Sequence, residues 1–369
     1  MPDLSRRKTL ALIGGGTVLA AGAGIGAFAA TRTPHAALAP WDAAGAYADP
    51  RMRALSYALL APNPHNRQPW EAELIGTDGI TIWRDPARDL LVTDPFARQL
   101  TIGMGCFLEL ARMAADAEGL ATETTLFPAG EAGPVARLRL VPGGTPDPLF
   151  AHVMERRSHK AAFELRPVTA DAAAPLARHA TLHLDGRLRD DLRQLAQDAW
   201  RTEMATPAAL KESIDLLRIG RNEIEANPDG IDLGGPLMEG LARAGLLTRA
   251  AAMDPDNPGT RRQIEGEAAI IMGAPAMLTL VTPGNTRRDQ IAAGRRWLRL
   301  NLAATGAGLA IRPVSQALQE YPEMAAHLAR AHALAAPDGG TVQMLGLLGY
   351  AARTARTPRW PLETRMRDA

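Results

Sequence analysis

The segment from Ile102 to Ala121 aligns without gaps on Ile291 to Ala310, at a constant offset of 189 positions. Identities fall at Ile102/Ile291, Gly105/Gly294, Ala114/Ala303, Ala115/Ala304, Gly119/Gly308, Leu120/Leu309 and Ala121/Ala310. An internal repeat constrains architecture before any local signal does, because both copies must fold as the same unit. Each copy reads as a long helix closed by a Gly-Leu step, where glycine suits a left-handed cap, and then a strand. Strands are expected near Glu123 to Phe127 and Val135 to Val141 in the first copy, and at Ile311-Arg312 and Val342 to Leu348 after the second. Two related halves follow, of class α+β, bounded at about 45–148 and 149–369. The second half contains a largely helical insertion, roughly 192–270, that the first lacks. Pro228, Pro236, Pro255 and Pro258 break it into short helices, and Asp254 to Gly259 is a polar loop. As a lid or as a surface elaboration, the insertion satisfies the sequence equally well.

With 46% hydrophobic and 22% charged residues, a chain of 369 residues has enough apolar side chain for two such units. Lys plus Arg, at 41, nearly balances Asp plus Glu, at 40, so charge gives no reason to expect nucleic acid. A small or neutral partner is the expectation. The single cysteine, Cys106, cannot form an internal disulfide, and its apolar helix reads as a buried, inert thiol. His65 and His159 have no His-x-x-x-His or cysteine partner in sequence, and no Gly-x-Ser-x-Gly elbow is present, so no metal site and no hydrolase nucleophile is expected.

Residues 1–30 read as an address. Ser5-Arg6-Arg7-Lys8-Thr9-Leu10 is a basic head, a weakly apolar Gly/Ala stretch follows, and Ala27-Phe28-Ala29 offers a small-x-small cleavage site. The paired arginines and low hydrophobicity resemble a twin-arginine signal, which implies engagement of that export machinery and a periplasmic or secreted mature chain. The glycines of this stretch lack the preceding strand of a dinucleotide-binding loop, since a charged terminus stands upstream of them. An uncleaved anchor is the nearer rival, but Gly14, Gly16 and Gly22 and the scarcity of large apolar side chains argue against a stable span in the mature protein.

The sharpest local signal is Ala61-Pro62-Asn63-Pro64-His65-Asn66-Arg67-Gln68-Pro69-Trp70. Its prolines prohibit helix, so a rigid loop presents Asn66 and Gln68, whose amides donate and accept at once and suit a heterocycle with alternating C=O and N–H groups. A polar turn that caps its own backbone satisfies the same residues. A second signal is Glu155-Arg156-Arg157-Ser158-His159-Lys160. Its cations and hydroxyl suit a phosphate, or equally a solvated face.

The loop resembles the Pro-Ser-x-x-Asn-x-Gln-Pro-Trp segment of the nitroreductase family, with Asn63 standing at the family's serine. The resemblance implies an FMN cofactor, with Asn63, Asn66 and Gln68 against the flavin ring and ribityl chain. Arg156, Ser158 and Lys160 match the family's Arg-x-Ser-x-Arg/Lys segment, which binds phosphate and ribityl oxygens. Leu348-Gly349-Tyr350 and the tail through Arg353, Arg356 and Pro358-Arg359-Trp360-Pro361 look like the closing strand and basic tail, implying phosphate contacts from Arg356 and Arg359. Pro313-Val314-Ser315-Gln316 resembles the segment beside the flavin's reactive edge, giving Pro313 and Ser315. The chain is similar to the Acg-like fused subgroup, in which two half-units form an intramolecular pseudo-dimer with one complete site. This implies an oxidoreductase that reduces nitro, quinone or similar small electron acceptors, with no side chain required as catalyst. The alternative it leaves is a non-enzymatic protein that stores or sequesters FMN. The apolar helix Ile291 to Leu309 makes a further homodimer possible.

Overall fold

A computed structural model describes residues 31–367. The export signal read at residues 1–30 lies outside the described residues.

After α1 (His35–Asp42) and α2 (Pro50–Ala58), a hairpin of β1 (Trp70–Ile75) and β2 (Gly79–Arg84) leads into α3 (Arg98–Ala117), followed by β3 (Leu120–Leu126) and β4 (Ala136–Pro142). These strands form an antiparallel sheet of order β1-β2-β4-β3. The second half begins with the single turn α4 (Ala170–Ala173) and β5 (Thr181–His183). It closes with β8 (Ala276–Thr282), α11 (Arg287–Gly306), β9 (Ala310–Pro313), α12 (Ala325–Ala335) and β10 (Thr341–Gly349). Its sheet has the order β5-β8-β10-β9, also antiparallel. The two sheets share one plan: a long helix follows the second strand, and the strand after that helix takes the edge. The α+β class expected from sequence is what the chain adopts.

Helices α3 and α11 span twenty residues each, in register with the 189-residue offset. Each stops where a glycine, Gly119 (φ 77°) or Gly308 (φ 69°), takes the left-handed conformation. The N-termini are capped differently. The Asp94 carboxylate accepts from Gln99 N and Leu100 N at 3.0 and 2.8 Å, whereas Thr286 and Asp289 form a reciprocal capping box. The two helices pack on each other at the centre of the largest core, with Phe107, Leu110 and Met113 on one and Leu298, Leu300 and Leu302 on the other. They approach through their matched glycines: a Cβ at Gly105 would stand 3.0 Å from Gly294 Cα and collide with the carbonyl oxygen of Ile291. Reciprocally, one at Gly294 would stand 2.8 Å from Gly105 Cα and collide with the carbonyl oxygen of Ile102.

Between β5 and β8 lie α5 (Gly186–Ala205), α6 (Pro207–Asp215), β6 (Leu217–Ile219), α7 (Gly220–Ala226), β7 (Ile231–Leu233), α8 (Pro236–Arg243), α9 (Arg249–Met253) and α10 (Pro258–Gly273). Helix α5 starts before position 192, and β6 pairs with β7 in parallel. Strands of three residues carry no period for a sequence pattern to show, so they went unmarked in a stretch read as largely helical. The C-terminal tail leaves the second sheet and returns to the first, where Arg367 N donates to Ala72 O at 2.8 Å. That return carries residues 357–360 across the loop at 61–69. Among the described residues no helix is long and apolar enough to cross a membrane.

Candidate functional site

The loop after α2 is strained. His65, Asn66 and Gln68 have φ of 46°, 51° and 50°, a region that costs a side-chain-bearing residue about 1–3 kcal/mol. Such strain persists only where the surroundings over-determine it, and here they do. Asn63 Oδ1 accepts from Gln68 N at 2.7 Å, and Asn66 Nδ2 donates to Pro358 O at 3.1 Å. Gln68 Nε2 donates to Pro228 O at 2.7 Å, and Gln68 Oε1 accepts from Trp360 N at 3.0 Å. The loop is therefore clamped by the insertion and by the tail. It also leans on α3 where Gly103 leaves room, since a Cβ there would meet Asn63 Cβ at 3.1 Å.

This clamp encloses a cleft of two lobes, about 210 and about 230 Å³, continuous through Pro62, Asn63, His65, Ser158 and Pro313. Together they reach the range of small-molecule sites, roughly 300–1,000 Å³. The first lobe is walled by Ile102, Gly103 and Cys106 of α3, Trp297 of α11, and Ser315, Gln316 and Met344. The second is walled by Trp41, Asn66, Arg156, Arg157, Lys160, Asp232 and Arg359. Of the ten positions singled out in sequence, eight line the cleft: Asn63, Asn66, Arg156, Ser158, Lys160, Pro313, Ser315 and Arg359. Gln68 and Arg356 do not. Gln68 is wholly buried and spends its amide on the clamp, while Arg356 pairs with Asp42 at 2.6 Å on the outer side of Trp41.

The second lobe is electrostatically unusual. Arg156 and Arg359 are 3% exposed, and among the described residues neither they nor Arg157 pairs with a carboxylate. Arg359 donates from Nε to Leu59 O and from Nη1 to Asn66 Oδ1, both at 2.7 Å, and from Nη2 to the carbonyls of Leu60 and Ala61. Arg156 Nη2 donates to Leu60 O at 2.8 Å, but its buried Nη1 has no partner, nor has Arg157 Nε. Burial above all pulls Arg156 and Arg157 down to about 10 and Arg359 to about 9, with repulsion from Arg356 and Arg353 adding to it at Arg157 and from Arg156 at Arg359. Three guanidiniums stay cationic around a single lining carboxylate, Asp232, which Lys160 already claims, and a buried Arg156 N–H has no partner. This arrangement suits a dianion such as a phosphate ester. Lys160 differs, because it is half exposed and already paired with Asp232 at 2.5 Å.

Several cleft residues escaped the sequence reading. Arg157, one of the cations offered to a phosphate but passed over by the family match, turns into the same lobe with its guanidinium 4.6 Å from the Trp41 ring centre. Trp41 carried no signal, and Asp232 arrives from the insertion. His65 lies at the junction of the lobes, and burial lowers its pKa, so it is neutral there. Its proximity to the recognised motif was the one available clue. Among the described residues no group of three His, Cys, Asp or Glu side chains is placed to hold a metal ion.

No family model matches the chain. It is 27% identical over 337 residues to "Putative NAD(P)H nitroreductase Rv3131" of Mycobacterium tuberculosis H37Rv, covering 84% of this chain and 91% of that one, and equally to its counterpart in strain CDC 1551. Among solved structures, it is similar to an FMN-dependent nitroreductase from Mycobacterium smegmatis in complex with NADPH, with TM-score 0.35 and 21% identity, covering 60% of this chain and 98% of the other. A nitroreductase with bound FMN from Bacteroides fragilis gives TM-score 0.31 and 15% identity, with 57% and 91% coverage.

Proposed function

We propose that the chain is an FMN-dependent oxidoreductase of nitroreductase type that reduces nitro, quinone or similar small electron acceptors. The observation that carries the reading is the trio of buried Arg156 and Arg359 and half-buried Arg157 at one end of the cleft, none of them paired with a carboxylate and with Arg156 Nη1 unpartnered. A cation cluster of this kind is stabilised by an anion in place. The sequence likeness to curated relatives named for NAD(P)H-linked nitro reduction, over most of both chains, supports the same reading.

Arg156, Arg359, Ser158 and Lys160 would hold the phosphate of FMN. Asn63, Asn66, Pro313 and Ser315 would face its ribityl chain and ring, with Ile102, Cys106 and Trp297 as an apolar wall. When bound, FMN supplies reversible two-electron transfer. The chain's own part is to fix the ring's position through a strained, fully clamped loop and to keep water from its apolar wall; protons for the acceptor come from solvent. We read residues 45–148 and 149–369 as two fused units of one kind, supported by their matching sheet orders, with the insertion at about 192–270 belonging to the second. We also propose export by the twin-arginine route to the periplasm, on the basis of residues 1–30.

A second reading, FMN storage, draws support from Asp232, since the insertion's contact with Lys160 covers the second lobe. One experiment separates the two. Residues 31–369 are expressed in cytoplasm, purified, and their visible spectrum recorded before and after NADPH or dithionite. A flavin band bleached by NADPH supports the reductase, and bleaching by dithionite alone supports storage. No flavin, even after FMN supplementation, would falsify both.

A further inference from the structure

Helix α5 carries a buried carboxyl that the cleft does not use. Glu203 is 2% exposed, and its Oε2 has no hydrogen-bond partner. A buried acceptor in that state carries the full penalty of its lost hydration. Ser213, Gln316 and Gln319 are within hydrogen-bonding reach of the carboxyl, and Gln319 Oε1 is likewise buried without a partner.

Glu203 lines a third cavity, about 270 Å³, enclosed by α5, α6, α9 and α10. Its apolar wall is formed by Trp200, Met204, Leu210, Ile214, Leu233 and Ile264, with Ser213, Thr260, Gln263 and Gln316 as polar neighbours, and Trp200 is fixed by donating Nε1 to Ile264 O at 3.0 Å. At the mouth Arg312 is paired with Glu267, so that charge is compensated. The cavity shares His65 and Gln316 with the first lobe of the cleft, and His65, Ile231 and Arg312 with the second. It therefore opens beside the place where electrons would be exchanged. A wall of large apolar side chains with a few polar groups, one of them an unsatisfied acceptor, is the pattern of a small-molecule site, in which area gives affinity and the polar groups fix orientation.

We propose that this cavity binds an apolar, aromatic-sized molecule carrying an N–H or O–H donor, which Glu203 Oε2 accepts, and that the bound molecule is the electron acceptor of the adjoining cleft. The second clause rests on the flavin reading; the binding itself does not. Burial pushes the Glu203 carboxyl up to about 7, and in either protonation state an acceptor oxygen remains for the ligand.

The test is calorimetric titration of the full chain with indole and with 1-methylindole, which lacks the donor, alongside absorbance measurement of flavin on the same preparation. Indole is expected to bind about tenfold more tightly, as one hydrogen bond to a buried acceptor provides. Glu203→Met should erase that difference, and Glu203→Gln, which keeps an acceptor oxygen, should retain it. Ala252→Trp, which fills the cavity from α9, should weaken both ligands and serves if the Glu203 variants do not fold. Equal affinities in the native chain, undiminished discrimination in Glu203→Met, an inert Ala252→Trp, or binding of neither ligand, as for a cavity holding water only, overturns the proposal. Flavin without indole binding overturns this inference alone. Indole binding without flavin overturns the cofactor reading and leaves the cavity standing.

Discussion

Replacing Gly105 by alanine sets two effects of opposite sign against each other. In a helix interior alanine is favoured over glycine by about 1 kcal/mol, so propensity alone predicts a more stable chain. The crossing of α3 with α11 argues otherwise, because the new methyl would meet backbone on the partner helix, Gly294 Cα at 3.0 Å and the Ile291 carbonyl closer still. Backbone cannot rotate away as a flexible side chain can. The cost should lie at the upper end of the roughly 1–3 kcal/mol typical of overpacking, leaving a net destabilisation of about 2 kcal/mol. Gly266, on the exposed face of α10 with nothing within 4 Å of its would-be Cβ, is the control. There alanine should stabilise by about 0.5–1 kcal/mol. Equilibrium denaturation in urea reads both, and the midpoints should move in opposite directions. Flavin affinity should also fall in Gly105→Ala, since Ile102, Gly103 and Cys106 wall the cleft from the displaced helix. If Gly105→Ala is as stable as the native chain or more so, the close approach of the two helices is not as described.

Arg156→Met should weaken FMN binding roughly tenfold to hundredfold, the worth of a charged hydrogen bond, without lowering the stability of the flavin-free chain, because it removes an uncompensated buried cation. Fluorescence titration against a denaturation curve checks both halves. Glu203, with a carboxyl at about 7 through burial and facing Glu212 and Tyr321, is easier to protonate in the folded chain than in the unfolded one, where it titrates near 4.3. The folded state therefore holds the extra proton in that window, and this contribution to stability should be full below about pH 4, lost as pH rises through 7, and absent in Glu203→Gln. Cys106, donating to Gly294 O and pushed up to about 12 by burial, should resist iodoacetamide at pH 8 until denaturant is added. Rapid labelling of the native chain would contradict its burial.

The long helices were legible because their repeat, glycine stops and flanking strands are local signals repeated twice, and Gly119 and Gly308 adopt the backbone those signals require. The loop at 61–69 was legible as rigid, since three prolines leave few alternatives. What its amides hold was not. Gln68 shows donor and acceptor capacity in sequence, yet Pro228 and Trp360 claim both ends, and those partners lie 160 and 292 positions away. Arg356 and Arg359 looked alike in a basic tail. Only the return of that tail to β1 decides that Arg359 points inward to Asn66 and Arg356 outward to Asp42. Asp232 and the third cavity depend on how the insertion folds back, which no local pattern encodes.

A cleft assembled across two associating subunits empties as they are diluted and must carry every substitution twice. Here the wall from α3 and the wall from α11 belong to one covalent chain, so the cleft's integrity does not depend on protein concentration. The same linkage frees each wall to change alone. Cys106 lines the cleft, while the position 189 residues on is Arg295, drawn toward Glu109. A symmetric pair could not make that exchange on one side only.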